Sequence, residues 1–93
     1  MIPTTEIELK IKEKIKTSHL EVIDLRGGDH IQVIVVSPEF ENKSLVDQHK
    51  IVYDILSDEM KKNEIHALTL KTYSPVQWEK VKGNFKSGVD HAI

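Results

Sequence analysis

Ninety-three residues, 39% of them hydrophobic, make one small domain with a single core. Thirteen basic residues against fifteen acidic ones leave a formal charge of −2, so bulk charge gives no argument for nucleic acid and only a local basic patch could. The absence of cysteine excludes disulfides, thiolate metal sites and a thiol nucleophile; no apolar run approaches the ~20 residues of a membrane span, and the amino terminus lacks the pattern of a signal peptide, so a cytoplasmic location is expected.

Thr5, with Glu8 three residues on, fits a capping box. Ile7, Ile11 and Ile15 then form one apolar stripe on a helix ending near residues 16–18. Lys10, Lys12, Lys14 and Lys16 lie off the stripe and read as a solvated face. Leu20, Val22, Ile23 and Leu25 suggest a strand over about 19–26, and Gly27-Gly28-Asp29 is a turn signal. Residues 31–36 are β-branched and apolar at nearly every position, the mark of a strand buried on both faces. Two strands joined so closely pair antiparallel.

Residues 37–43 form a loop or a short helical turn. Ser44 caps the next helix, with Asp47 in its first turn. Leu45, His49, Val52, Tyr53, Leu56 and Met60 are assigned to one face of that helix, widened by Ile51 and Ile55; the helix runs through about residue 60 and is closed by Lys61-Lys62-Asn63. Residues 65–73 are the third strand. Ser74-Pro75-Val76-Gln77 starts a last helix with a cap and a proline at its first position. That helix carries Val76, Trp78 and Val81. The domain is placed at 1–82, and residues 83–93 are expected to be a mobile tail.

The order α-β-β-α-β-α implies a three-stranded mixed sheet. A helical crossover makes strands two and three parallel. If they are neighbours, their first residues lie at one edge, and His30 and His66 sit side by side. Two imidazoles in a chain without cysteine suggest half of a metal site, the other half coming from a partner. On pattern alone, a structural histidine remains the first reading of His66 and a ligand the second. His49 reads as a packed, hydrogen-bonded histidine, and His19 and His91 as incidental. Trp78 and Tyr73 read as packing residues first and partner contacts second.

The segments Gly-Asp-His-Ile-Gln-Val-Ile-Val-Val-Ser at 28–37, Gln-His-Lys-Ile-Val-Tyr at 48–53 and His-Ala-Leu-Thr-Leu-Lys-Thr-Tyr-Ser-Pro at 66–75 resemble, in this order, the BolA family. The resemblance covers about residues 5–82. It implies a small α/β (α+β) domain similar to a class II KH domain, with helices on one side of the sheet. It also implies a partner, a monothiol glutaredoxin, and a bridging [2Fe-2S] cluster used in iron–sulfur trafficking or iron sensing. The family's iron-ligating histidine maps onto His66, and its variable second ligand onto His30; Asp29 is a candidate to orient an imidazole. Where many members carry Arg-His-Arg, this chain has Gln48-His49-Lys50, which weakens a DNA-binding role more than a cluster role.

A [2Fe-2S] cluster needs four ligands, usually thiolates, although two imidazoles serve one iron in the Rieske arrangement. With no thiolate, this chain binds no such cluster alone; glutaredoxin and glutathione would supply the sulfurs. Ligating imidazole must be neutral, so binding should weaken in acid. The leading expectation is therefore a non-enzymatic adaptor, forming a heterodimer with glutaredoxin and a monomer or weak homodimer when free. The alternative is a KH-like DNA-binding regulator using Lys43, Lys50, Lys61, Lys62 and Lys71, although the chain lacks the G-X-X-G loop that clamps a nucleic-acid backbone. An enzyme is the weakest reading, because no nucleophile motif or phosphate loop is present.

Overall fold

The isoleucine stripe builds the first element of the computed structural model, which describes residues 2–27 and 30–86. α1 (Thr4–Lys14) buries Ile7 and Ile11 completely, with Ile15 at its end. The expected cap at Thr5 is replaced by Pro3, whose carbonyl accepts the N–H groups of Glu6 at 3.1 Å and Ile7 at 3.4 Å. A backbone carbonyl thus does what the Thr5 hydroxyl was expected to do, and the helix ends at Lys14, short of residues 16–18.

β1 (His19–Arg26) and β2 (His30–Val36) pair antiparallel, with a register irregularity between Asp24 and Arg26. Gly27 turns the chain between them at φ 66°, a value that costs glycine nothing. A single 3-10 turn, Pro38–Phe40, follows, capped by the Ser37 hydroxyl, which accepts the Glu39 N–H at 3.0 Å. Phe40 is driven wholly into the core.

The expected helix to residue 60 is two helices, α2 (Leu45–Ile55) and α3 (Ser57–Lys61). Ser44 Oγ accepts the Asp47 N–H at 3.1 Å, as its place in the sequence predicts. Leu56, fully buried at φ −99° and ψ 13°, interrupts the helical backbone between them. The inward face keeps the expected Val52, Leu56, Ile51 and Ile55 and adds Gln48. Gln48, Val52 and Leu56 are buried and Ile51 and Ile55 pack beside them, at i, i+3, i+4, i+7 and i+8. Leu45 and Tyr53 instead face solvent at 60% and 41% exposure.

β3 (Ala67–Tyr73) starts two residues later than predicted and runs parallel to β2, so the sheet order is β1-β2-β3. Alternation sends Ile31, Val33 and Val35 to one face, where they meet Ile7, Ile11, Phe40, Val52, Leu56 and Ile65. Each such aliphatic chain stabilises the fold by roughly 1.5–3 kcal/mol relative to exposure.

α4 (Pro75–Lys86) begins with a reciprocal cap. Ser74 Oγ accepts the Gln77 N–H at 3.2 Å, and Gln77 Oε1 accepts the Ser74 N–H at 2.9 Å. The helix passes through Gly83, so the boundary expected there lies inside an element; residues 87–93 lie outside the described residues. The one-sided arrangement of helices holds for α1 and α2. Trp78 of α4 instead meets His19 and Tyr73, in the row of the sheet that includes Val36 and therefore opposite the Val35 face.

Lys10 departs from the solvated-face expectation. Its ammonium donates to both carboxylate oxygens of Glu59, at 2.8 and 2.7 Å, tying α1 to α3. The hydrogen bond to Glu59 raises the lysine's pKa above its ordinary value. Among the described residues, no helix is long and apolar enough to cross a membrane.

Candidate metal centre

The parallel register of β2 and β3 pairs His30 with Ala67, so His66 stands one residue before His30's partner. The two imidazole rings lie 6.1 Å apart between centroids and 21° from parallel. The juxtaposition expected from the crossover is therefore present, although His66 lies at a bend just ahead of β3 rather than within it.

His66 is held outward by what precedes it. Ile65 is buried in the core, so the next side chain is free to emerge. The Glu59 carbonyl accepts the N–H groups of both Glu64, at 2.9 Å, and Ile65, at 3.2 Å, closing the end of α3. Asn63 takes the left-handed turn required there, at φ 62°. Glu59 thus fixes the approach to His66 with its backbone while its carboxylate holds Lys10.

His66 is exposed and His30 half-buried, an arrangement that leaves the imidazole edge open to a partner. Among the described residues, no group of three or more histidine, cysteine, aspartate or glutamate side chains could hold a metal. The pair offers two imidazole donors, a set that would suit one iron of a cluster only when other donors complete it. Asp29, the candidate orienting group, lies outside the described residues.

Of the five candidate nucleic-acid lysines, Lys71 is set apart, on the other side of the sheet from α2. Lys43 precedes α2, Lys50 lies on α2, and Lys61 and Lys62 close α3. Lys71 lies in the row with Ile34 and Glu21, on the sheet face opposite the Val33 and Val35 core.

Three residues have roles that pattern reasoning missed. Gln48, read as a lost basic position, is a buried clasp: Nε2 donates to the carbonyls of Phe40 at 3.3 Å and Lys43 at 3.1 Å, and Oε1 accepts the Thr72 hydroxyl at 2.7 Å. No polarity signal could have found it, because glutamine scores as a surface residue. His19, read as incidental, stacks on Trp78 at 4.8 Å and pairs with Glu21 at 2.6 Å. Its place at a strand start beside an alternating acid was the available signal. His49, read as hydrogen-bonded, has a buried Nε2 with no partner among the described residues. Tyr73 is raised above the ordinary tyrosine pKa by burial, in keeping with its packing against Trp78.

The family description of a BolA-like protein matches residues 6–77. A protein of Arabidopsis thaliana named BOLA2 is 43% identical over 82 residues, covering 85% of this chain and 86% of that protein. The DNA-binding transcriptional regulator BolA of Escherichia coli is 29% identical, covering 85% of this chain and 82% of its own length. The crystal structure of a related protein from Babesia bovis superposes with a TM-score of 0.77 at 30% identity, covering 88% of this chain and 95% of that one.

Proposed function

The chain belongs to the BolA-like family, and on that footing we propose that it is a non-enzymatic adaptor which binds a monothiol glutaredoxin and shares a glutathione-ligated [2Fe-2S] cluster with it. His66 and His30 would ligate one iron, and the partner's thiolate and glutathione would provide the remaining donors. The cluster supplies electron storage and a transferable iron–sulfur unit. This chain's residues hold two imidazoles at a fixed spacing and leave their edge accessible. The observation that carries the reading is the 6.1 Å ring stack at a sheet edge, without a third donor nearby among the described residues. The role would be iron–sulfur trafficking or iron sensing in the cytoplasm.

The test is the visible circular dichroism spectrum of an anaerobic reconstitution with a monothiol glutaredoxin, glutathione, iron and sulfide. A spectrum distinct from that of glutaredoxin alone, and lost in His66→Ala, is expected. His30→Ala should weaken or reshape it, and acidification should bleach it, since ligating imidazoles must be neutral. An unaltered glutaredoxin spectrum with no heterodimer would overturn the proposal. The runner-up, a DNA-binding regulator, draws its support from the name of the Escherichia coli relative; the place of Lys71 on the sheet face opposite the core weighs against a single patch of all five lysines. Binding to duplex DNA that falls steeply with salt would favour it.

A further inference from the structure

A second concavity lies away from the histidines. It is a groove of about 400 Å³ where the starts of α2 and α4 approach the end of β3. Leu45, Tyr73 and Val81 give it an apolar lining, and Lys43 and Lys80 are the only charged groups that line it among the described residues. Its polar groups are engaged internally: Gln48 with Thr72, and the Gln77 oxygen with the Ser74 N–H.

Two features bear on what the groove could hold. Leu45 is 60% exposed although it opens a helix whose next turns pack in the core. Some lysines elsewhere meet carboxylates, as Lys10 meets Glu59 and Lys82 meets Glu79. Lys43 and Lys80 form no ion pair among the described residues, so a chain of net charge −2 places two unmatched cations around an apolar floor.

We propose that this groove docks an extended acidic peptide segment of a partner protein. An apolar side chain enters between Leu45, Tyr73 and Val81, and flanking carboxylates meet Lys43 and Lys80. Charge complementarity of this kind sets the choice of partner and its rate of encounter more than raw affinity. A nucleic-acid backbone would need a run of cations along its phosphates, whereas two lysines bracket an apolar floor here. The groove meets β3 at Thr72 and Tyr73, and the histidines meet it at Ala67. Six residue steps of roughly 3.3 Å separate the two ends, about 20 Å. The inference does not rest on metal ligation.

The test begins with a phage library of random twelve-residue peptides, selected on the wild-type protein and counter-selected on Lys43→Glu/Lys80→Glu. Enriched peptides should carry an apolar residue flanked by aspartate or glutamate. A synthetic copy should shift the amide resonances of residues 43–48, 72–73 and 77–81. Its Kd should rise at least about tenfold in the charge-reversed variant and be largely restored by Lys43→Arg/Lys80→Arg. Both lysines are exposed, so far-ultraviolet circular dichroism of the variants should match wild type. The cluster spectrum formed with glutaredoxin should also be unchanged, which separates failure here from failure of the histidine reading. No enriched peptide, enriched peptides without acidic residues, or resonance shifts outside the groove would each overturn the proposal.

Discussion

Replacing Gln48 by alanine should cost far more than its polar, mid-helix position suggests. The residue is 2% exposed, and its amide makes three bonds, to the carbonyls of Phe40 and Lys43 and to the hydroxyl of Thr72. At a net ~0.5–1.5 kcal/mol each, with the bond at 3.3 Å the weakest, their loss amounts to about 3 kcal/mol. Thr72 is itself buried, so its orphaned hydroxyl adds a desolvation cost that water cannot easily relieve. For a domain of this size the melting temperature should fall by roughly 12–24 °C. Urea unfolding should show a lower midpoint at unchanged slope. Gln48→Glu sharpens the test: it keeps the acceptor for Thr72 but turns a carboxylate toward two carbonyl oxygens. That carboxyl would have a raised pKa in the folded state, so the variant should regain stability as pH falls through the carboxylate range and lose it as pH rises. Gln48→Ala and Thr72→Val should be non-additive by about 1 kcal/mol in a double-mutant cycle. A loss below about 1 kcal/mol for Gln48→Ala, or a Gln48→Glu protein as stable as wild type at neutral pH, would refute the clasp.

Three further outcomes are expected. Lys10 and Tyr73 both have raised pKa values, so the stability they contribute is complete below their unfolded values and declines as pH rises past about 10; a flat profile of urea midpoints from neutral pH to beyond that point would contradict both assignments. His49→Leu should leave stability unchanged or raise it by up to about 1 kcal/mol, because it removes a buried nitrogen with no partner among the described residues; a clear loss in thermal melts would show that the nitrogen is satisfied after all. Trp78 is the one tryptophan, so His19→Ala should shift fluorescence emission to the red as its stacking partner disappears, with a stability loss of about 1 kcal/mol; unchanged emission would argue against the stack in solution.

The strand order, the parallel β2–β3 pair and the meeting of His30 with His66 were legible in the sequence because a helical crossover leaves so few topologies. The caps at Ser44 and Ser74 were legible because their chemistry is local. What pattern could not supply was tertiary. Val52 and Leu56 were placed inward correctly, but counting glutamine as polar left Gln48 off the face and put Leu45 and Tyr53 on it. The break at Leu56 follows no glycine or proline, and the sequence marks it only as another apolar residue in period. Gly83 invited a helix end, yet a single glycine costs a helix only ~1 kcal/mol, and α4 continues to Lys86. The groove at Lys43 and Lys80 joins residues from three elements, so no linear motif announces it.

The central position of β2 has a consequence for kinetics. Ile31, Val33 and Val35 are buried on one of its faces and Ile34 and Val36 on the other, with a paired strand along each edge. Its amides should exchange with deuterium only through global unfolding. His30 heads this most protected strand. His30, paired with Arg26 on one side and Ala67 on the other, would offer a cluster a ligand fixed to that strand's first residue.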